Sequence, residues 1–247
     1  MKTCVSFVTY NIYGKYDWTK ICVRSYRNVF ADKVPLIVVD HNHNPDEVKF
    51  LEDNQVTVIE TKSGSRTHGA GLDTATEYAR QAGYDAIVFI EPDCVINHIQ
   101  WYQNILSALE SGKSMASTIR LSYGPLHPCS SGWIIKDIPT SFEACHKTEQ
   151  DISHPAFKES ISFTNLSKVM NDHKFGDQGY YFFFYHWDTG MRNWFLLRTQ
   201  NKDQFVIGKG FNHFWESHRV TPQMLLERHP NLKDMIWPFF DKPISYL

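Results

Sequence analysis

Over the first hundred residues the chain alternates between two hydrophobic rhythms. Residues 4–9 form a short β-rich run, Cys-Val-Ser-Phe-Val-Thr. Residues 18–30 then place Trp18, Ile21, Cys22, Ser25 and Val29 on one helical face. Residues 34–39 are almost continuously apolar, the pattern of a strand covered on both sides. Asn44, Pro45, Asp46 and Glu47 read as a helix start, with an Asn cap, Pro at the first position and acids in the first turn. A further strand is expected at 56–60 and a helix at 72–82 through Leu72, Ala75, Tyr78 and Ala79. Gly83-Tyr84-Asp85 is a turn and 86–90 a fourth strand. A helix at 99–109 carries Ile99, Tyr102, Leu106 and Leu109 in register and ends at Ser111-Gly112.

Strands that alternate with helices predict βαβ units, a mainly parallel sheet and right-handed crossovers. Ligands of such sheets bind at the carboxyl ends of the strands. That rule singles out residues 9–11, Asp40, 61–64 and 91–93, each a polar cluster directly after an apolar run.

The second half is less regular. Residues 112–140 contain Gly124-Pro125, His127-Pro128 and Ser130-Ser131-Gly132, which are loop signals around short strands. Residues 141–176 are polar and read as a mobile insertion, either an acceptor-side lid or a surface excursion. A dense aromatic run fills 180–185, Gly208-Lys209-Gly210 is a turn, and 222–228 form a short helix. No repeat or low-complexity tract is present.

Composition narrows the class. The 247 residues are 42% hydrophobic and 21% charged, which suits one folded domain and excludes wholesale disorder. A formal net charge of −2 gives no basic excess for a nucleic-acid backbone. Five cysteines, an odd number without a Cys-x-x-Cys pair, suggest neither a disulfide framework nor a Cys-based zinc site. With no signal-peptide pattern and no apolar run near the ~20 residues of a membrane span, the expectation is a soluble cytoplasmic protein without a transmembrane segment.

The segment richest in chemistry is Ala86-Ile87-Val88-Phe89-Ile90-Glu91-Pro92-Asp93, an apolar strand ending in two carboxylates. Pro92 forces a turn, so one acid can face a site while the other braces the loop. Hard divalent cations such as Mn²⁺ or Mg²⁺ take carboxylate oxygens together with phosphate, and a cation here can neutralise a departing diphosphate. The alternative is purely structural: Glu91 caps a turn and Asp93 begins a helix.

Ahead of these acids lie Ser65-Arg66-Thr67-His68-Gly69-Ala70-Gly71-Leu72-Asp73 and Gly83-Tyr84-Asp85. This layout resembles the nucleotide-binding half of the GT-A glycosyltransferases, especially the family 2 type. There a Gly-bearing loop enters a helix, a Gly-aromatic-Asp turn follows, and a strand ends in Asp-x-Asp. The resemblance covers roughly residues 4–110, and Glu91 stands where the family has its first Asp. It implies an α/β fold of the GT-A, Rossmann-like type, with a mainly parallel central sheet flanked by helices. It also implies a single domain over 1–247, divided into a nucleotide-sugar-binding half, 1–110, and an acceptor-binding half, 111–247.

The resemblance further implies site roles. Thr9 and Asn11 would lie against the nucleotide, and Asp40 would accept hydrogen bonds from base or ribose. Arg66, His68 and Asp73 would face the same cleft, with Arg66 on the diphosphate. Glu91 and Asp93 would complete the donor site, Asp93 being the favoured metal ligand. His213 resembles the C-terminal His that completes the metal shell in many such enzymes, with His218 as second choice. In His186-Trp187-Asp188-Thr189-Gly190, Asp188 is the candidate general base for the acceptor hydroxyl, and Asp177 is its rival. Trp133 and Trp187 are candidate platforms for an acceptor sugar ring; the competing reading for each is a core residue.

The expected activity is transfer of a sugar from a UDP-, GDP- or dTDP-sugar to the hydroxyl of a glycan or small-molecule acceptor, with inversion and help from a divalent cation. The processive synthases are disfavoured, because their Gln-x-x-Arg-Trp motif is missing. A sugar-nucleotidyltransferase would need a Gly-rich basic loop after the first strand, where this chain has Thr9-Tyr10-Asn11-Ile12-Tyr13. A dehydrogenase lacks its Gly-x-Gly-x-x-Gly. A non-catalytic glycan- or nucleotide-binding protein on the same fold remains the alternative.

Overall fold

The computed structural model describes residues 1–9, 16–41, 44–61, 68–113, 115–119, 130–138, 142, 205–207, 211–213 and 221–239. Their elements run β1 (Thr3–Thr9), α1 (Tyr16–Phe30), β2 (Leu36–Asp40), α2 (Pro45–Asp53), β3 (Thr57–Glu60), α3 (His68–Gln81), β4 (Ala86–Ile90), β5 (Cys94–Ile96), α4 (Gln100–Glu110), β6 (Met115–Ile119) and β7 (Ser130–Ile134). After these come β8 (Phe205–Ile207), β9 (Phe211–His213), α5 (Pro222–Arg228) and α6 (Lys233–Ile236).

Seven strands make one sheet in the order β3-β2-β1-β4-β7-β6-β8. β3, β2, β1 and β4 run parallel. β7 lies antiparallel to both β4 and β6, and β8 joins β6 in parallel. The fold is therefore α/β with a mainly parallel central sheet, as the alternating pattern predicts. The buried runs of β1, β2 and β4 explain why no polar alternation marks them: helices cover both faces.

On one face Val5, Phe7, Leu36, Val38, Val88 and Ile90 pack with Cys22, Tyr26 and Phe30 of α1, Leu51 of α2, and Trp101 and Ile105 of α4. α3 covers the other face, and does so closely: a Cβ added to Gly71 would stand 2.6 Å from the Val8 methyls and 2.9 Å from His41 Nε2. A two-stranded antiparallel ribbon, β5 with β9, stands outside the main sheet. It is held by Trp18 and Ile21 of α1, Val95 of β5, Leu225 of α5 and Ile236 of α6, which form a second apolar cluster. The Arg24 guanidinium donates to the Phe239 carbonyl at 2.9 Å, tying α1 to the turn that follows α6.

Local signals act as expected at several boundaries. Asn44 Oδ1 accepts from the Asp46 and Glu47 amides at 3.0 and 3.3 Å, capping α2. Thr221 caps α5 by accepting from the Met224 amide at 3.3 Å. Gly83, at φ +70, ends α3 in the left-handed conformation that its turn needs.

Two boundaries differ. α3 begins at His68 rather than Leu72: Gly69 and Gly71 belong to the helix, and Gly71 permits its approach to β1. Asp93 does not open a helix: residues 92 and 93 form a turn that leads straight into β5. Among the described residues no helix is long and apolar enough to cross a membrane. Of the expected insertion at 141–176 only Phe142 is described; it is buried, its ring edge-on to Phe89 and Trp133 at 5.3 and 5.5 Å. The aromatic run at 180–185 and the Gly208-Lys209-Gly210 turn lie outside the described residues.

Candidate functional site

The neighbouring strands β2, β1 and β4 end at one edge of the sheet, and the polar residues there come from all three. Adjacent strands lie about 4.8 Å apart, so these ends fall within about 10 Å of one another. The connection after β3 brings the start of α3, with the positive end of its backbone dipoles, to this same edge.

At the β1–β2 end, Thr9 and Asp40 are register partners. The Thr9 hydroxyl donates to Asp40 Oδ1 at 2.9 Å, and both residues are 1% exposed. The following residue, His41, is also buried, and its Nδ1 meets Thr61 Oγ1 at 2.6 Å. Thr61 follows β3, so three successive strand ends are linked through side chains. The sequence singled out Thr9 and Asp40; it did not mark His41 as part of this floor. The signal was its place directly after Asp40, on the opposite face of the extended chain.

At the β4 end, Glu91 and Asp93 flank the Pro92 turn. α1 fixes this turn from below: Cys22 Sγ lies 3.8 Å from the Glu91 carbonyl, and Ser25 Oγ accepts from the Ile96 amide at 3.0 Å. Burial, reinforced by the nearby Asp93 and Glu91 carboxylates, pushes the Cys22 thiol well above the usual thiol range. It stays protonated and acts as packing. Asp93 is itself buried. His68, the first residue of α3, directs Nε2 toward Glu91 Oε1 at 3.8 Å, each side chain being 15% exposed. That distance is beyond a hydrogen bond, and the buried Nε2 makes none. An imidazole nitrogen left so costs about 1–3 kcal/mol.

The β5–β9 ribbon adds the remaining candidate. Its register sets His213 across from Cys94, the residue after Asp93. Two candidate metal ligands that are 120 positions apart in sequence are thus adjacent along the ribbon. The carboxylates of Glu91 and Asp93 and the imidazole of His68 are ligand types that suit a divalent cation such as Mn²⁺ or Mg²⁺. Among the described residues no three His, Cys, Asp or Glu side chains converge tightly enough to hold a metal by themselves.

Other candidates sit differently. Asp73 lies on α3, but its Oδ1 accepts from the Phe142 amide at 2.6 Å, so it fastens that segment to the helix. Trp133 is 2% exposed in β7, edge-on to Phe142, with its indole N–H donating to Ser131 Oγ at 2.7 Å. It is a core residue and offers no open face to a sugar, a correction to its reading as a platform. Asn11, Arg66, Asp177, Trp187 and Asp188 lie outside the described residues, as does His218.

No family model matches the chain, and no curated protein matches it in sequence. Among solved structures the chain is similar to glucosyl-3-phosphoglycerate synthase from Mycobacterium tuberculosis, crystallised with Mn²⁺, uridine diphosphate and phosphoglyceric acid. That match has 14% identity and a TM-score of 0.43, covering 55% of this chain and 56% of the synthase. It is also similar to S. aureus TarS 1-349, at 16% identity and a TM-score of 0.47, covering 61% of this chain and 53% of that one. A structure of the latter holds UDP-GlcNAc, and matches with a TM-score of 0.43. The chain spans about half the length of these proteins.

Proposed function

We propose that this chain is a glycosyltransferase that moves a hexosyl group from a nucleotide-diphosphate sugar to an acceptor hydroxyl, with inversion at the anomeric carbon. One observation carries the reading: the Thr9–Asp40 pair, the start of α3 and the Glu91-Pro92-Asp93 turn all meet at one edge of the sheet. A nucleoside there has a carboxylate for its base or ribose, and its diphosphate has a helix start and a cation-binding turn.

In this scheme Asp40, held by Thr9, accepts hydrogen bonds from the nucleoside, and Asn11 lies against it. Arg66 contacts the diphosphate. A bound divalent cation supplies positive charge to the departing diphosphate; Asp93, Glu91 and His213 are the residues to hold it. Asp188, or its rival Asp177, takes the proton of the acceptor hydroxyl. The acceptor oxygen bonds to the anomeric carbon from the face opposite the leaving group. The bond from that carbon to the diphosphate oxygen breaks, and its electron pair leaves with the nucleoside diphosphate. Trp187 is the candidate surface for the acceptor ring.

The test is a thermal-unfolding panel with UDP, GDP, dTDP and CMP, each with and without Mn²⁺, followed by donor turnover. A ligand at 100 times its Kd adds about 2.7 kcal/mol, a rise of roughly 5–10 °C for a domain of this size. One nucleoside diphosphate should give that shift, larger with Mn²⁺, and its sugar conjugate should be consumed. Four nucleotides that all leave the transition in place would sink the proposal. Binding without consumption of any donor would convert it to the non-catalytic alternative.

A further inference from the structure

The acid turn leads into β5, a three-residue strand that is buried throughout and stands outside the main sheet. β9 pairs with one edge of it. Among the described residues the other edge meets no strand; it meets α1. Ser25 Oγ accepts from the Ile96 amide at 3.0 Å and donates to the Cys22 carbonyl of its own helix at 2.9 Å. Cys22 is one helical turn earlier on the same face. Its sulfur takes the Cys94 amide, and its thiol turns to the Glu91 carbonyl at 3.8 Å, the long, weak bond that sulfur makes. Amides two residues apart point to the same edge of a strand, which is why those of residues 94 and 96 both reach α1. Two neighbouring side chains of one helix thus hold the backbone on either side of Asp93 and stand in for a strand.

We propose that Ser25 and Cys22 are positioning residues for Asp93: α1, and not β4 alone, sets where the acid turn presents its carboxylate to the donor. The inference rests on the glycosyltransferase reading for what Asp93 serves, and adds to it two residues that touch neither donor nor acceptor. Both side chains are wholly buried, so each acts only through the backbone it holds. A buried amide that loses its acceptor shifts to find another, and a shift of about 1 Å at a reacting group can cost about 100-fold in rate. The Thr9–Asp40 pair is held within the main sheet, so the nucleoside end should not respond to the same change.

Ser25→Ala and Cys22→Ala in the full chain test this, beside Ser25→Thr and Cys22→Ser, which keep a hydroxyl at each place. Val56→Ala, a core truncation away from the strand ends, controls for lost stability alone. Thermal unfolding with UDP, GDP and dTDP, each with and without Mn²⁺, is read together with consumption of their glucose conjugates. In the alanine variants the added rise from Mn²⁺ should shrink, and kcat should fall about tenfold or more while the donor KM holds. The metal-free nucleotide shift should stay, and the hydroxyl variants should recover the loss. The Cys22 pair carries the test should threonine not fit at position 25. Alanine variants that lose only stability, as Val56→Ala does, and keep kcat and the Mn²⁺ rise overturn the proposal. So do variants that lose the metal-free shift in equal measure, since α1 then supports the whole fold and not the turn. Donor consumption by the unsubstituted protein, matched by the alanine variants, removes the positioning role and leaves the transferase reading standing. A chain that consumes no donor and gains nothing from Mn²⁺ ends both.

Discussion

Two ends of the same crevice are built in opposite ways. Below β1 and β2, the described candidate groups are joined by short bonds: Thr9 to Asp40 at 2.9 Å and Thr61 to His41 at 2.6 Å, with Gly71 pressed against the imidazole. Beyond β4, His68 Nε2 and Glu91 Oε1 stand 3.8 Å apart, wider than a hydrogen bond. The first end is organised before any ligand arrives, and ordering costs little at binding. The second has its acids on a proline turn, where a bound charge would add to the contacts they already make. On the proposed reading, a nucleoside would meet a fixed floor and its diphosphate a rim carried on the proline turn.

Substitutions can break this contrast, and the rim gives the largest effect. Asp93→Ala should lower donor turnover about 100-fold or more, the scale of losing one transition-state charge stabiliser. It should also erase the extra Mn²⁺-dependent rise in Tm while leaving the metal-free nucleotide shift in place. Loss of both shifts would mean that the acids belong to the floor. Next comes Thr9→Val, which keeps the shape and deletes the hydroxyl. It should destabilise the fold by about 1.5–3 kcal/mol and raise the donor KM with little change in kcat, and Thr9→Ser should restore both. Gly71→Ala tests the floor from the other side, since overpacking against Val8 and His41 costs about 1–3 kcal/mol, a fall of several degrees in Tm by calorimetry.

The smallest effect is on alkaline stability. Burial pushes the Cys4 thiol up to about 12. The unfolded chain releases this proton near pH 9, so stability is whole below that pH and declines as pH rises through the folded value. Urea titrations at pH 8 and pH 10 should show the decline, and Cys4→Ala should flatten it. An equal slope in the variant would assign the loss to other groups, such as the buried Tyr26 hydroxyl, whose pKa burial also raises.

The parallel half of the fold was legible because its information is local. β1, β2 and β4 are unbroken apolar runs, and Asn44 with Pro45 announces α2 on its own. What escaped was non-local. β5 is three residues long, and its partner β9 lies more than a hundred residues away; no window along the chain contains both. The start of α3 was misplaced because Gly69 and Gly71 read as loop, whereas Gly71 is small to let the helix touch Val8. Asp73 reads from its sequence neighbours as a cleft residue, but a side chain's use depends on the backbone it meets, here the Phe142 amide. Trp133 shows the same limit: an aromatic after a polar loop signal can stack on a ligand or fill a core, and only its 2% exposure decides.

The β5–β9 ribbon also sets a timetable for synthesis. The parallel strands β1 to β4 and their helices are complete once about 110 residues have emerged. The acid turn then waits with β5 unpaired until residue 213 arrives, an interval on the order of ten seconds at roughly 5–20 residues per second. A growing chain can thus form the Thr9–Asp40 floor long before the ribbon that braces the acid turn, and during that wait β5 exposes a short unpaired edge.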